Sequence, residues 1–319
     1  MIIKKIFPLL LLASLFADDG LPNLSTRPKT QPRTIDMSAD AIYWYTAENI
    51  DWAYTRHGNT ESLETSYKTL VFDWAPGFRV GLGYNMEHDL WDSQAGFTWF
   101  QSKAAASSDG PIVPGFFAAR LSLLEPFISG SARTSLHYNI FDWDVGRSFL
   151  VSNHLSLRPS IGMKAGWISQ QINSNWVVTS LIHAQENLKN SFKGGGAKGA
   201  IRSQWQLGQL RSHSFSLIGS FEAAYLWGHT TIEDEFIDTL ATAIFTNTTP
   251  RNFGAIMLHA FFGLGWDFDF DRDRSHFGFK LGYEIEDWFN QLQIFTNING
   301  AQNNDLVLQG FSASLLFAF

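Results

Sequence analysis

Nine histidines, thirty acidic and twenty-three basic side chains are the groups with which this chain could do chemistry, and it has no cysteine. The histidines are scattered, without HExxH or comparable metal-ligand spacing. KGGGAKG at 193–199 has the composition of a phosphate loop but misses the GxxxxGK[ST] spacing, so it is read as a flexible loop entering a strand. DFDFDRDRS at 267–275 alternates Asp as a calcium loop would. It lacks the Gly and the distal Glu of an EF-hand and is read as a solvated turn. No set of acid, base and nucleophile stands out. No catalytic residue, metal ligand or cofactor is assigned, and the chain is expected not to be an enzyme.

Charge does recur in one place, on a single parity of apolar runs. In 155–167 one face is Leu155, Leu157, Pro159, Ile161, Met163, Ala165 and Trp167, while Arg158 and Lys164 stand on the other among Ser and Gly. Glu222 stands behind the apolar face of 215–227, and Lys280 and Glu284 behind that of 277–285. This register sets Arg79, Arg158, Lys164, Lys198, Arg202 and Lys280 on the inner face, with Asp92, Glu222, Glu284 and Glu286, and His259 as a polar neighbour. A one-residue slip would turn any set outward. In a membrane that slip costs about 2–4 kcal/mol for each Arg or Lys at mid-bilayer, which supports the register. Opposed charges facing one lumen set up a transverse field that tunes ion preference, and their near balance leaves the preference open.

Such residues need strands to carry them. Alternation places strands near 37–47, 77–87, 91–102, 131–145, 155–170, 196–208, 214–228, 254–268, 276–288 and 305–319. The joins near 87–90, 148–154, 208–213 and 269–275 are short. Those near 48–76, 103–130, 171–195 and 229–253 are long, and 289–304 is intermediate. Short turns at one end and long loops at the other describe an all-β, antiparallel, up-and-down transmembrane barrel of about ten strands, within a range of 10–12. Trp91, Trp99, Trp167, Trp205, Trp227 and Trp266 fall toward strand ends, where interfacial girdles need them. Pro159 cannot donate a ladder hydrogen bond and is expected to mark a bulge. WVVTSLIHAQENLKN at 176–190 is expected to form a loop helix with Val177, Leu181, Ile182 and Leu188 on one side.

Alternation alone also fits a secreted β-sandwich. The two ends of the chain favour the barrel. Residues 1–17, MIIKKIFPLLLLASLFA, read as a secretory signal peptide with Lys4 and Lys5 before a short apolar run. The polar, Pro-containing 18–36 reads as a flexible periplasmic lead-in, and 37–319 as the barrel. GFSASLLFAF at 310–319 reads as the closing strand, with Phe311, Leu315, Phe317 and Phe319 as a C-terminal assembly signal. A net charge of −7 without a Lys/Arg block points away from nucleic acid. Apolar residues at 45% and charged ones at 17% exclude a disordered chain.

The stretches GFRVGLGYNMEHDLWDSQAGFTWFQ (77–101), LSLRPSIGMKAGWISQQ (155–171), FGFKLGYEIEDWFNQ (277–291) and ADAIYWY (39–45) resemble the major outer membrane protein family of Legionella. Related proteins occur in amoeba-associated chlamydiae. The resemblance implies an outer-membrane porin passing small hydrophilic solutes, with a structural envelope role beside it. The chlamydial proteins belong to cysteine cross-linked envelopes; with no cysteine, this chain would stiffen an envelope by packing or abundance. The alternative is a surface adhesin acting through loops 103–130, 171–195 and 229–253. Expected partners are outer-membrane lipid and the barrel-assembly machinery, with homo-oligomerisation left open.

Overall fold

Successive side chains of a strand point to opposite faces, so the fold turns on which face is apolar at each level. A computed structural model describes residues 34–59, 62–86, 90–115, 126–210, 213–239, 245–270, 275–296 and 300–319. The proposed signal peptide lies outside them. The strands are β1 (Thr34–Ala47), β2 (Ile50–Asn59), β3 (Ser62–Leu70), β4 (Ala75–Asn85), β5 (Trp91–Pro114), β6 (Phe127–Arg147) and β7 (Phe149–Leu150). They continue as β8 (Leu155–Val177), β9 (His183–Leu210), β10 (His213–Asp238), β11 (Phe245–Phe270), β12 (Ser275–Thr296) and β13 (Gly300–Ala318).

Ten of these close one antiparallel barrel, in the order β1, β4, β5, β6, β8, β9, β10, β11, β12, β13 and back to β1. The closing seam runs from Asp36 opposite Ala318 to Ala47 opposite Val307. Main-chain hydrogen bonds between Ile35 and Phe319 extend it. Every expected strand has its counterpart. β1 starts at Thr34, slightly inside the stretch expected as lead-in.

At the level of the short turns and the middle of the barrel, the apolar face points out. On β4, Phe78, Val80, Leu82 and Tyr84 are 43–54% exposed on the outside, while Arg79 between them faces in. A water-soluble sandwich would bury that face, so this one requires lipid. Higher up, the sides exchange. On β8, Met163 and Trp167 are exposed outward, but from Ile168 onward Ile172 and Trp176 are buried inward and Gln171 and Asn175 face out. On β10 the outward Phe221, Tyr225 and Trp227 give way to inward Ile232 and Phe236.

The exchange happens at a girdle of Trp99, Trp167 and Trp227, joined by stacked Tyr43 and Trp74 with centroids 5.5 Å apart. Trp91, Trp205 and Trp266 form a second girdle at the turn end. Between the girdles lies the lipid-facing band. Above the upper girdle the barrel continues as a wall with a core of its own. Most of the expected long loops are therefore strand: β5 reaches Pro114, β6 begins at Phe127, and β10 reaches Asp238.

Three further expectations change. No helix forms over 176–190; β8 runs to Val177 and β9 starts at His183, joined by a turn in which the Val178 amide donates to the Ile182 carbonyl. Leu188 is buried inside the barrel while Leu181 is 85% exposed at the turn, so the helical stripe is broken by strand pairing. KGGGAKG is not a loop but the middle of β9. A Cβ on Gly196 would lie 1.9 Å from the Tyr225 carbonyl, so glycine lets β9 and β10 close there. Pro159 marks no bulge, because it pairs in register with Ile201. On its other side the ladder lapses between Gly146–Ser160 and Phe149–Leu157, which matches the donor that proline lacks.

β2 and β3 form a hairpin turned into the upper barrel. Ala53 and Tyr54 pair with Pro114 and Val113 of β5, and the Gly115 amide donates to the Trp52 carbonyl. Ile50, Trp52, Leu70 and Phe72 are buried against Ile112, Phe127 and Trp176. Each such side chain contributes about 1.5–3 kcal/mol by burial.

Candidate functional site

Between the girdles, the inward parity of ten strands brings the charged residues together. Of the residues expected on the inner face, Arg79, Arg158, Lys164, Lys198, Arg202, Glu222, Lys280, Glu284, Glu286 and His259 line one cavity of about 260 Å³. Asp92 is buried beside it against Arg158.

Two ion-pair groups divide the chamber. In the first, Arg79 lies 3.3 Å from Asp40 and 3.4 Å from Glu284, and its Nε–H donates to Thr98 at 3.0 Å. Glu284 is buried and also meets His259 Nε2 at 2.9 Å and the Trp44 indole N–H at 3.1 Å. In the second, Lys164 lies 2.9 Å from both Asp142 and Glu222, and Lys198 reaches Asp142, Asp144 and Glu222 at 3.1–3.3 Å. Arg158 holds Asp92 through two nitrogens and Asp144 at 2.7 Å. Gly146 makes the last contact geometrically feasible, since a Cβ there would sit 2.6 Å from the Arg158 Cζ.

Two interior cations differ. Arg202, opposite Arg158 on β9, and Lys280 on β12 line the same cavity, and among the described residues neither has a carboxylate in ion-pair contact. Their charges repel one another across the turn-end half of the lumen.

Above the charged layer stands an aromatic one. Trp44 packs on Phe100 and Tyr138 at 5.3 and 6.3 Å, Tyr138 on Trp288 at 6.1 Å, and Phe192 on Trp288 at 6.5 Å. Glu286 sits at its edge and accepts from the Tyr138 hydroxyl and, at 2.6 Å, from the Trp288 N–H. Higher still, Trp52 of the hairpin lies 5.5 Å from Trp176. Glu48 and Glu186 are buried at this level, and among the described residues neither has a cation in ion-pair contact. Burial pushes Glu48 up to about 8, although the Gln170 amide donates to both its oxygens at 2.7–2.8 Å. Burial also raises Glu186, with added repulsion from Asp234, and lifts Asp234 to about 6. The interior thus has a charged, cavity-bearing half and an apolar half.

Sequence reading missed Asp36, Asp40, Asp142 and Asp144. Their signal was present: outward Phe141 and Trp143 on β6 fix Asp142 and Asp144 as inward. Tyr138 and Trp44 were missed because an inward aromatic in a charged lumen follows no alternation rule. Among the described residues, no group of three or more His, Asp or Glu side chains could hold a metal ion.

The sequence profile described as Legionella pneumophila major outer membrane protein precursor matches residues 26–319. No curated protein matches the chain. Among solved structures, it is similar to the outer membrane protease OmpT from Escherichia coli at 12% identity and a TM-score of 0.41, over 92% of this chain and 98% of that one. The toluene transporter TodX from P. putida matches at 8% identity and a TM-score of 0.24, over 95% and 90%. A Pseudomonas aeruginosa FadL homologue matches at 9% and 0.26, over 90% of each chain. None of these likenesses says what this chain carries or acts on.

Proposed function

Because the chain belongs to the Legionella major outer membrane protein family, we propose that this outer-membrane barrel gives small hydrophilic solutes a narrow passive route, closed toward its loop end in this conformation. The charged chamber between the girdles carries the reading. Buried ion pairs are often no more stable than apolar packing of the same volume. A barrel serving only as a filled wall has no need of Arg79, Lys164 or Lys198 at membrane level. A hydrated route does need them, because opposed charges line it for ions and polar solutes. The aromatic layer and the inward hairpin supply the closure. The orientation that goes with this sets the short turns and both chain ends in the periplasm and the tall wall outside the cell.

Osmotic swelling of proteoliposomes tests the route. Swelling in a small amino acid but not in a trisaccharide is expected, and no swelling in any solute contradicts it. No catalytic role belongs to this reading, and family membership supports that. A second reading, surface recognition, is favoured by the wall itself, which rises from Trp167 to Val177 on β8 and from Trp227 to Asp238 on β10. Host-surface binding that survives loss of solute flux but not excision of the 178–182 turn would support it.

A further inference from the structure

The outer surface just above the upper girdle carries charge that the lumen account does not use. Lys103 on β5, Arg133 on β6 and Lys193 on β9 all face outward and exposed, and among the described residues none has a carboxylate in ion-pair contact. Register places them together. Lys103 pairs with Ser135, Ser135 with Gln171, and Gln171 with Lys189, giving one row across four adjacent strands. Arg133 lies one outward position above that row on β6, and Lys193 sits directly opposite the girdle residue Trp167. His137 stands on the same face, 3.4 Å from the Gln101 amide. Lys189, at the end of the row, has an acid beside it, Glu233 at 3.5 Å, and both side chains are half exposed.

The cluster does not follow from overall composition, since the chain carries −7. The opposite side of the barrel has the other sign at a similar height, where Asp287 on β12 and Asp305 on β13 lie close enough to repel. Neighbouring strands are about 4.8 Å apart, so the row from β5 to β9 spans about 14 Å. Directly beneath it are lipid-facing Trp167, Met163 and Phe141. Cations and hydroxyls above an aromatic girdle, with apolar wall below, match an amphiphile whose phosphates lie at the interface and whose chains run down the barrel.

The geometry points to a docking site on the outer wall of β5, β6, β8 and β9 for the headgroup phosphates of a phosphorylated glycolipid in the outer leaflet. It rests on the reading above for one thing, that the loop end faces outward. Arg133 and Lys103 grip the phosphates, Lys193 and Trp167 hold the junction with the chains, and Ser135 and Gln171 supply neutral hydrogen bonds between them.

The test uses the refolded full-length barrel in detergent, titrated with labelled diphosphoryl lipid A. The variant K103Q/R133Q/K193Q changes only outward side chains, and heat-modifiable gel mobility checks its fold; K103Q and R133Q alone serve if the triple variant misfolds. The site predicts about tenfold weaker binding for the triple variant, a graded loss for the single ones, and weakening with salt. It also predicts unchanged binding for D287N/D305N. Dephosphorylated lipid should bind wild type no better than it binds the triple variant. Binding by the triple variant within twofold of wild type overturns the site. So does full displacement of the lipid by inorganic phosphate alone, which would mark a free-anion site. Maleimide labelling of K103C on intact cells reports the orientation by itself, so the two readings fail separately.

Discussion

Glu48 stands just past the end of β1, held by Gln170 from the far wall, with no cation beside it among the described residues. Its carboxyl is pushed by burial from an ordinary value near 4.5 up to about 8, so the folded protein binds this proton more tightly than the unfolded chain does. The stability it adds is fully present below about 4.5 and is lost as pH rises through about 8. Glu48 leads directly into β2, so the hairpin feels this loss first. Protease protection of the hairpin should fall several-fold between pH 6 and pH 9, and E48Q should stay protected at both. Equal pH dependence in E48Q would assign the effect elsewhere. Arg202 and Lys280 make a second prediction at this scale. They are the interior cations without carboxylate contacts among the described residues, so their positive field is the least cancelled in the lumen. R202Q/K280Q should shift the reversal potential of any conductance toward cations, while K164Q, by leaving Asp142 and Glu222 to Lys198 alone, should disturb folding yield more. An unchanged reversal potential would remove the pair from the solute route.

Among the elements, β13 has the outward face on which assembly is proposed to depend. Phe311, Leu315, Phe317 and Phe319 are all exposed toward lipid, and the same strand closes the barrel against β1. F317A/F319A should lower insertion in cells several-fold while leaving the melting of already assembled barrel nearly unchanged, because these rings touch lipid rather than the core. Equal assembly would detach that role from the strand. The ten strands were legible because lipid demands an uninterrupted apolar parity outward, as in Met163, Ala165 and Trp167. The height of the wall was not. Past Trp167 the apolar residues Ile168, Ile172 and Trp176 move to the inner face, and a reading that follows outward apolar side chains ends the strand there. The helix expected over 176–190 has the same origin, since residues on both sides of a turn mimic a helical stripe. In the lumen, residues behind a clean apolar face were legible. The hairpin was not, because nothing local to 48–76 says that Trp52 and Phe72 turn inward rather than pack on the rim.

For the whole molecule, one sheet solves two solvent problems. Between the girdles it is apolar outside and charged inside. Above the upper one it is polar outside and apolar inside, with the hairpin completing the upper core. A passage through it therefore depends on whether that upper core opens. The direct measurement is planar-bilayer conductance of the wild-type barrel beside a variant in which residues 50–70 are replaced by a short Gly/Ser linker, both checked for the folded barrel by gel mobility. The account predicts small, infrequent steps for the wild type and conductance about tenfold or more larger and persistently open for the variant. Silence from both, with folded barrels in the membrane, would contradict a solute route and leave a filled wall.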